Sequence, residues 1–431
     1  MTKASLRVGA AEVNITPSVG TQMAGSLTPR PAAGVQDPLM IKAIVIESGG
    51  GKVAYVILDL IALMRPEGDA AVLLAAERTG IPADHILWAA SHTHTGPYTS
   101  ESVGAETALD RAYLASIPAR FAEAVESAND SLQPARVSRC RGHQLFLSHN
   151  RRVLYKDGRA LNTWNIGHAS PDVQCVGMAG PVDPEVGILA FDDPAGNPLA
   201  VMFQYTLHAN ANHGAYISGD YPAVVAARLR ERFGPQVVTL YVPGACGDLN
   251  SAGLSYRQVG DALAGEIIAR MQDRRAMPGP VAIGADKREI LVPYRDIHAD
   301  QEQRLRDSGW PADCWDLFRQ EQAIMRREGM TETKAMLQAW HIGDTAFASV
   351  PGELFLEWGL KIKRESSFPW TYPVELGGDC LGYLITQAAL DTGGYESLLC
   401  RWSKVAPAGV GMMAGELLKM LQQLHGLARK T

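Results

Sequence analysis

Short apolar runs separated by turn residues dominate the first part of the chain, and they predict β-strands that alternate with helices. Residues 41–47 and 53–60 form two of these runs, joined by a glycine-rich turn. The second run is almost wholly apolar until Asp59, which is typical of a strand covered on both faces of its sheet. Residues 68–79 have helical periodicity, and residues 85–90 form the next predicted strand.

The same alternation continues through the rest of the chain. Further strands are predicted at residues 136–147, 186–191, 198–207 and 237–242, a strand pair at 334–350, and helices at 107–127, 221–233, 255–275 and 354–363. Pro118 lies inside the first of these helices, where we expect it to kink or split the helix. The order predicts the α/β fold class: a single large domain, residues 1–431, with a mixed β-sheet core flanked by helices. A charged helical stretch at about 300–333, with Trp310 and Trp315 among the charges, is predicted to be an insertion.

Composition and charge narrow the class of protein. Of the 431 residues, 46% are hydrophobic and 20% charged, which is ordinary for a soluble globular protein with a substantial core. The net charge of −6 argues against a nucleic-acid partner. No apolar stretch approaches the length of a membrane span, so no integral membrane segment is expected.

Cysteine usage and the N-terminal sequence favour a cytoplasmic protein. The six cysteines are scattered without a Cys-x-x-Cys pair, as expected for reduced thiols. The N-terminal residues lack the apolar core of a signal peptide. These features predict a cytoplasmic protein. They are compatible with a homo-oligomer but do not specify one.

A His-x-His pair follows the predicted strand at 85–90. His92 and His94 stand in the sequence Ser-His-Thr-His-Thr-Gly-Pro, directly before the Gly-Pro that ends the strand. Side chains two residues apart on a strand share a face, so both rings are expected at the same edge of the sheet. Two imidazoles held this close favour zinc. Two ordinary polar histidines capping a strand remain the alternative.

Two more predicted strands end in polar clusters. The strand at 198–207 leads to His208, and the strand at 237–242 leads to a small-residue loop that contains Asp248 and Asn250. Ligands at the carboxyl ends of neighbouring strands are the general plan for sites in open α/β sheets. His208 would therefore extend the histidine pair to three ligands, or it is a hydrogen-bonded histidine at a strand end.

Several motifs, in one order along the chain, resemble those of the neutral/alkaline non-lysosomal ceramidases. They are Asn14-Ile15-Thr16-Pro17, the His92–His94 motif, the block from His208 to Asp220, Val350-Pro351-Gly352-Glu353, Tyr383-Leu384-Ile385-Thr386 and Tyr395-Glu396. Each motif alone is weakly specific, whereas the ordered set from about residue 10 to residue 400 is specific. The chain is shorter than those ceramidases and leaves no room for their C-terminal β-sandwich domain.

The resemblance implies a zinc-dependent amidase fold with a defined ligand set. His92 and His208 match the imidazole ligands, Glu353 the carboxylate ligand and Tyr383 the phenolate ligand. Such a set leaves a position for water, whose pKa zinc lowers to about 7. Without the resemblance, Glu353 reads as a carboxylate at a helix start and Tyr383 as a core aromatic.

The resemblance also implies catalytic roles for residues beside the metal. His94 matches a histidine that contacts water or substrate for hydrogen bonding or proton transfer, with a supporting role as the alternative. Tyr395 matches the tyrosine that faces the reacting carbonyl and is the candidate oxyanion donor. Arg151 would bind a substrate oxygen, or it is a solvated surface arginine. Asp59 would orient a ligand histidine, or it caps a strand end.

The loop at 244–251 departs from the family pattern. Alignment on its Gly-Asp pair puts Asn250 where the ceramidases carry a serine that is tied to activity, and Ser251 comes one position late. Asn250 retains the ability to donate a hydrogen bond to a carbonyl oxygen. Cys246 is a candidate nucleophile, although a small buried cysteine is the simpler interpretation.

The sequence therefore predicts a zinc-dependent hydrolase that cleaves an amide bond, or a lactone or other ester, of a small soluble substrate by attack of metal-bound water. One alternative is a true ceramidase that releases fatty acid from N-acylsphingosine. The other is a non-catalytic binding protein stabilised by its metal.

Overall fold

The computed structural model describes residues 6–27, 30–101, 109–168 and 174–429. The strands of these ranges are β1 Arg7–Asn14, β2 Gln22–Met23, β3 Arg30–Pro31, β4 Gly34–Val35, β5 Met40–Ser48, β6 Gly51–Leu58, β7 Ile86–Ala90, β8 Gln133–Pro134, β9 Arg136–His143, β10 Ser148–Asn150, β11 Arg152–Tyr155, β12 Ala160–Asn162, β13 Cys175–Met178, β14 Glu185–Asp192, β15 Pro198–Tyr205, β16 Tyr216–Ile217, β17 Val238–Pro243, β18 Leu249–Ser251, β19 Arg275–Ala276, β20 Ile283–Pro293, β21 Glu332–Ile342, β22 Thr345–Ser349, β23 Glu353–Leu354, β24 Trp370–Val374 and β25 Tyr383–Leu384. The α-helices there are α1 Arg65–Thr79, α2 Arg111–Asp130, α3 Asp220–Phe233, α4 Tyr256–Gln272, α5 Glu302–Asp307, α6 Trp315–Arg327, α7 Leu356–Glu365, α8 Gln387–Thr392 and α9 Pro407–Ala428.

The first sheet has the strand order β7-β6-β5-β1-β8. β5 and β6 form an antiparallel hairpin, and β7 returns parallel to β6 after α1. Alternate residues of β6 belong to different cores: Val53, Tyr55 and Ile57 to one, Ala54 and Val56 to the other. The prediction of a strand covered on both faces is confirmed, because helices α1 and α2 pack on one face and a second sheet on the other.

The second sheet has the order β17-β15-β14-β9-β19, in which β15 and β17 are parallel. It faces the first sheet across the largest core, where the Tyr55 hydroxyl donates to the Tyr241 carbonyl at 3.1 Å. Helices α3 and α4 pack against this sheet. The predicted α/β class with mixed sheets and flanking helices is confirmed.

A third sheet, β20-β21-β22-β24, carries the predicted insertion. β20 and β21 are an antiparallel pair whose register runs from Ile283↔Ile342 to Pro293↔Glu332. Helices α5 and α6 therefore lie in the connection between the two strands of one hairpin. The chain leaves the sheet at Pro293 and rejoins it at the neighbouring Glu332. Trp340 of β21 stacks on Tyr55 at 5.3 Å between ring centroids, which joins this sheet to the central core.

One local expectation was wrong. Helix α2 continues through Pro118 as one element, because apolar residues on both sides of the proline, including Leu114 and Phe121, are buried in the core between the helices and the first sheet. The first two residues of the predicted helix, 107 and 108, lie outside the described ranges. In the described part of the chain, no helix combines the length and apolarity needed to cross a bilayer.

Candidate metal centre

The ends of two strands bring the predicted histidines together. His92 and His94 follow β7 in the first sheet, and His208 follows β15 in the second. The backbone of His92 has φ of 65°, the left-handed region that non-glycine residues rarely adopt. His92 is held there by a hydrogen bond from its amide to the Leu60 carbonyl. Strain of this kind concentrates at functional sites.

The three imidazole rings share one hydrogen-bonding arrangement. Nδ1 of His92 lies 2.7 Å from the Ile61 carbonyl oxygen, and Nδ1 of His208 lies 2.8 Å from the Cys246 carbonyl oxygen. Nδ1 of His94 lies 3.1 Å from the carbonyl oxygen of Gly25. A carbonyl only accepts, so each Nδ1 carries the proton and each Nε2 of a neutral ring presents a lone pair.

Those three Nε2 atoms converge. Nε2 of His92 lies 3.0 Å from that of His208 and 3.3 Å from that of His94. The possible ligand atoms of the three histidines all lie within 4.8 Å of one another. A tetrahedral zinc site with bonds of about 2.0–2.1 Å to nitrogen has edges of about 3.3 Å. The observed spacing therefore fits a metal ion between the rings.

Glu353 adds an oxygen to the same cluster. Its Oε2 lies 3.3 Å from Nε2 of His92 and 3.3 Å from Nε2 of His208. This buried oxygen has no hydrogen-bond partner among the described residues. A buried carboxylate without a partner is costly unless a cation neutralises it. The donor set, two imidazoles with a carboxylate and a third imidazole beside them, therefore fits zinc.

The electrostatics of the cluster also favour a cation. Burial raises the pKa of Glu353, but His92 and His208 outweigh it and hold this pKa well below its ordinary value. Burial lowers the pKa of His208 to about 4, so this ring is neutral at physiological pH. For His92, the Glu353 carboxylate outweighs burial and raises the pKa. A metal ion held by these atoms would supply the positive charge that the buried carboxylate needs.

Tyr383 lies beside Glu353. The two residues face each other in the short parallel pair β23 and β25, and both are buried. Burial holds the pKa of Tyr383 well above its ordinary value, so its hydroxyl is protonated unless a metal binds it. The structure therefore brings Tyr383 to the edge of the cluster, and its role as a ligand stays a prediction.

Arg151 and Asn250 border the cluster on another side. Arg151 is buried, and its Nε donates to Oε1 of Glu396 at 2.8 Å. Nη1 of Arg151 donates to Oδ1 of Asn250 at 3.3 Å. The positive charge of Arg151 contributes to the lowered pKa of His208, after burial. The interpretation of Arg151 as a solvated surface arginine is therefore wrong.

Tyr395 is oriented by a tryptophan. Nε1 of Trp402 donates to the Tyr395 hydroxyl oxygen at 3.0 Å, which leaves the hydroxyl proton for another acceptor. The Tyr395 ring lies 5.5 Å from that of Tyr383 and 5.7 Å from that of Trp310 in the insertion. The insertion thus forms one wall around the candidate oxyanion donor.

Three buried acids at the site were not assigned roles from the sequence. Glu396 pairs with both Arg151 and Arg152, and Glu375 accepts from the amide and thiol of Cys246. Asp220 forms the third and lies at the start of α3. Asp59, by contrast, accepts from the Met40 amide at 3.0 Å and no imidazole, so it caps a strand end. The sequence around a single acidic residue does not show whether that residue is buried. Of the three acids, only Glu396 was indicated in advance, because it belongs to the Tyr395-Glu396 motif.

Cys246 is expected to be inert. Its thiol donates to Oε1 of Glu375 at 2.8 Å, and burial, with Glu375 beside it, holds the pKa well above the ordinary value. Cys246→Ser keeps the donor and is therefore expected to retain hydrolytic activity within about threefold. A nucleophilic role predicts loss of nearly all activity instead. Alkylation followed by mass spectrometry is expected to label exposed Cys175 readily and Cys246 only after unfolding.

Asp220 ties down the loop after His208 and gives a pH-dependent prediction. Its Oδ2 accepts from the Asn212 amide at 2.8 Å, and burial raises its pKa from 3.8 to about 7. Between about pH 4 and pH 7 the folded state holds a proton that the unfolded state releases, so stability falls as pH rises through this window.

We expect Asp220→Asn to remove this slope, which is about 1.4 kcal/mol per pH unit for one proton. The effect is measured from melting temperatures between about pH 4 and pH 7. The stability of the variant relative to that of wild type should increase as pH rises. Asp130→Asn, at an exposed helix end, is the control. Parallel pH profiles for wild type and Asp220→Asn would contradict the prediction.

Comparison with solved structures establishes the fold. The crystal structure of neutral ceramidase from Pseudomonas aeruginosa aligns with a TM-score of 0.74 at 17% identity, over 99% of this chain and 75% of that chain. A ceramidase structure described as complexed with C2 aligns with a TM-score of 0.73 at 17% identity, over 98% of this chain and 76% of that chain. The sequence itself matches no family model, and a search of curated proteins finds no significant match. The likeness to a neutral ceramidase-like fold confirms what the ordered motifs predicted.

Proposed function

We propose that this chain, which has a neutral ceramidase-like fold, is a zinc-dependent hydrolase of an amide bond, or of a lactone or other ester, in a small substrate. The observation that carries the proposal is the array of converging ligand atoms: Nε2 of three histidines and Oε2 of Glu353, with contacts of 3.0–3.3 Å. Such an array is unfavourable without a cation and is suited to zinc with one.

His92, His208, Glu353 and Tyr383 would hold the ion. Bound zinc supplies a Lewis acid that polarises a carbonyl and activates water near neutral pH. The carbonyl partners of the Nδ1 atoms fix the ring orientation and keep the Nε2 lone pairs on the cluster. These partners are backbone carbonyls, so the orientation of the two rings depends on the path of the backbone and not on the side chains of residues 61 and 246.

The remaining site residues act on the substrate. His94 would exchange a proton with water or the leaving group, since its buried ring is neutral: burial and the neighbouring histidines hold its pKa well below the ordinary value. Tyr395 would donate its free hydroxyl proton to the carbonyl oxygen as negative charge develops there. Asn250 and Arg151 supply further donors on the same side.

Metal analysis of the purified protein combined with an acyl-substrate screen tests the proposal. We expect about one zinc per chain, and hydrolysis of N-acyl amides, lactones or esters that disappears on chelation and returns with zinc. Activity that survives complete removal of metal would overturn it. Metal that raises the melting temperature while every acyl substrate stays intact would instead support a non-catalytic binding protein.

True ceramidase activity is the second candidate, favoured by the two ceramidases that share the fold. Release of fatty acid from ceramide in detergent micelles is its test. Asn250 at the position of the ceramidase serine argues against it. Comparison of wild type with Asn250→Ser shows whether that position limits ceramide turnover: an unchanged, low rate in the variant would exclude this explanation.

A further inference from the structure

One nitrogen of Arg151 is buried and unused. Nε of Arg151 binds Glu396 and Nη1 binds Asn250, but Nη2 completes no hydrogen bond with any described residue. The Tyr383 hydroxyl lies beside the guanidinium, whose carbon is 5.2 Å from the ring centroids of both Tyr383 and Trp164. A buried guanidinium with a free donor next to a candidate reaction centre is a ready binding point for an oxygen of a ligand.

The charges around Arg151 are unequal. Glu396 is the one carboxylate in direct contact with two buried guanidinium groups, Arg151 at 2.8 Å and Arg152 at 2.8 Å. Arg152 also donates to the carbonyl oxygens of Ala389 and Gly393, so its donors are occupied within the fold. The single carboxylate of Glu396 is therefore shared between two cations, and the guanidinium that keeps a free nitrogen is that of Arg151. A buried donor without a partner is costly, and an oxygen of an anionic ligand would relieve that cost.

The Asn250 amide adds a second donor on the same side. Its Oδ1 accepts from Nη1 of Arg151 at 3.3 Å and from Nδ2 of Asn210 at 3.2 Å. These two bonds fix the orientation of the amide, so its NH₂ group points away from them. None of the described residues accepts a hydrogen bond from this NH₂ group.

We propose that Arg151 and Asn250 together bind a carboxylate of the substrate, so that the preferred substrates are N-acyl amino acids. Two free donors that flank one Arg151–Asn250 hydrogen bond, one of them charged, suit the two oxygens of a carboxylate. The inference rests on the proposed hydrolase function and adds its substrate class. Water adds OH to the acyl carbon and a proton to the nitrogen as the C–N bond breaks, which gives a carboxylic acid and a free amino acid.

Half-exposed aromatic residues complete the subsite. The exposed fraction of Trp164 is 42%, and its ring lies 6.1 Å from that of Tyr395. The ring therefore flanks both Arg151 and the candidate oxyanion donor, and it shields the charge pair from water on one side. A sphingoid base, which offers neutral hydroxyls at this point, would give the free nitrogen of Arg151 a weaker acceptor than a carboxylate.

Binding of a matched pair of unreactive probes tests the inference. The acid probe is a γ-keto acid in which CH₂ replaces the amide nitrogen of N-octanoylglycine, and the neutral probe is its carboxamide. Isothermal titration of zinc-loaded wild-type protein should give at least about tenfold tighter binding of the acid. Arg151→Gln should abolish this preference, and Arg159→Gln, on the neighbouring β11–β12 turn, should keep it.

A second variant guards against misfolding of Arg151→Gln. Asn250→Asp keeps the acceptor that Arg151 and Asn210 use but replaces the free NH₂ group with a charged oxygen, so it should repel the acid probe and reverse the preference. Equal binding of the two probes to wild type would overturn the inference. So would an acid preference that persists in both variants, or a loss in Arg151→Gln that is equal for both probes, because the arginine would then serve only Tyr383 and the metal ligands.

The two proposals can fail separately. Probe binding needs no turnover, whereas zinc content and hydrolysis of neutral N-acyl amides report on the hydrolase alone. Zinc-dependent hydrolysis without acid preference would reject the carboxylate subsite and keep the hydrolase. Acid preference in a protein without hydrolytic activity on any N-acyl amino acid would reject the hydrolase and the substrate class with it.

Discussion

His208→Ala is expected to leave the protein almost free of zinc and to reduce hydrolysis at least about a thousandfold. Nε2 of His208 lies within 3.0–3.3 Å of both His92 and Glu353, so its loss removes a corner of the array. Without a bound metal, the pKa of the attacking water returns from near neutrality to the much higher value of bulk water. Metal analysis by mass spectrometry and initial rates on the best substrate of the screen measure both effects.

The matched control for this variant is His143→Ala, which changes an exposed histidine of β9. It should keep full zinc content and activity. The outcome that contradicts the assignment is a His208→Ala protein that is folded by circular dichroism and still contains one zinc per chain. Reduced metal content with unchanged activity would instead separate the metal from the reaction.

Tyr395→Phe is expected to lower kcat by about a hundredfold to a thousandfold with little change in KM, the usual cost of removing one oxyanion donor. The hydroxyl accepts from Nε1 of Trp402 at 3.0 Å, so its own proton is directed elsewhere. Trp402→Phe keeps the aromatic packing but frees the hydroxyl to rotate. We expect it to cost about tenfold in kcat.

A double-variant cycle tests whether the two residues act through one hydroxyl. Adding Trp402→Phe to Tyr395→Phe should cause no further loss, because the group that the indole orients is already gone. If the loss in kcat of the double variant equalled the product of the two single losses, Trp402 would act independently of Tyr395. Zinc content should stay at about one per chain in all three variants, which separates this effect from that of a metal ligand.

The histidine part of the site could be predicted from the sequence because each ligand follows directly on a strand with a strong apolar pattern. β7 and β15 were predicted to within a few residues, and strand ends place His92 and His208 at one edge. Their convergence needed only the general plan of α/β sheets. What the pattern could not show is the positive φ of His92, which depends on contacts with residue 60.

The acidic and aromatic part of the site could not be derived from local pattern. Glu353 and Tyr383 meet through β23 and β25, strands of two residues each that are far apart in the chain. Such short strands have no periodicity, and only the resemblance in motifs pointed to them. Glu375 gave no signal at all, because its burial and its contact with Cys246 depend on the packing of distant segments.

The loop at residues 20–36 illustrates the same limit. Its glycines and prolines predicted irregular structure, yet short strands occur within it at Gln22–Met23, Arg30–Pro31 and Gly34–Val35. The Gly25 carbonyl then accepts from His94. With φ of 90°, and with the ring of His94 where a Cβ would stand, residue 25 has to be glycine.

The β20–β21 hairpin separates the helical excursion from the elements that carry the histidines. Its strands pair without interruption from Ile283↔Ile342 to Pro293↔Glu332, so the sheet is complete before the chain departs into α5 and α6. Residues between those strands reach Tyr395 through Trp310, whereas the histidines lie on other elements. Mutation, lengthening or exchange of this excursion can therefore change the surroundings of Tyr395 while the strands that position the three histidines keep their geometry.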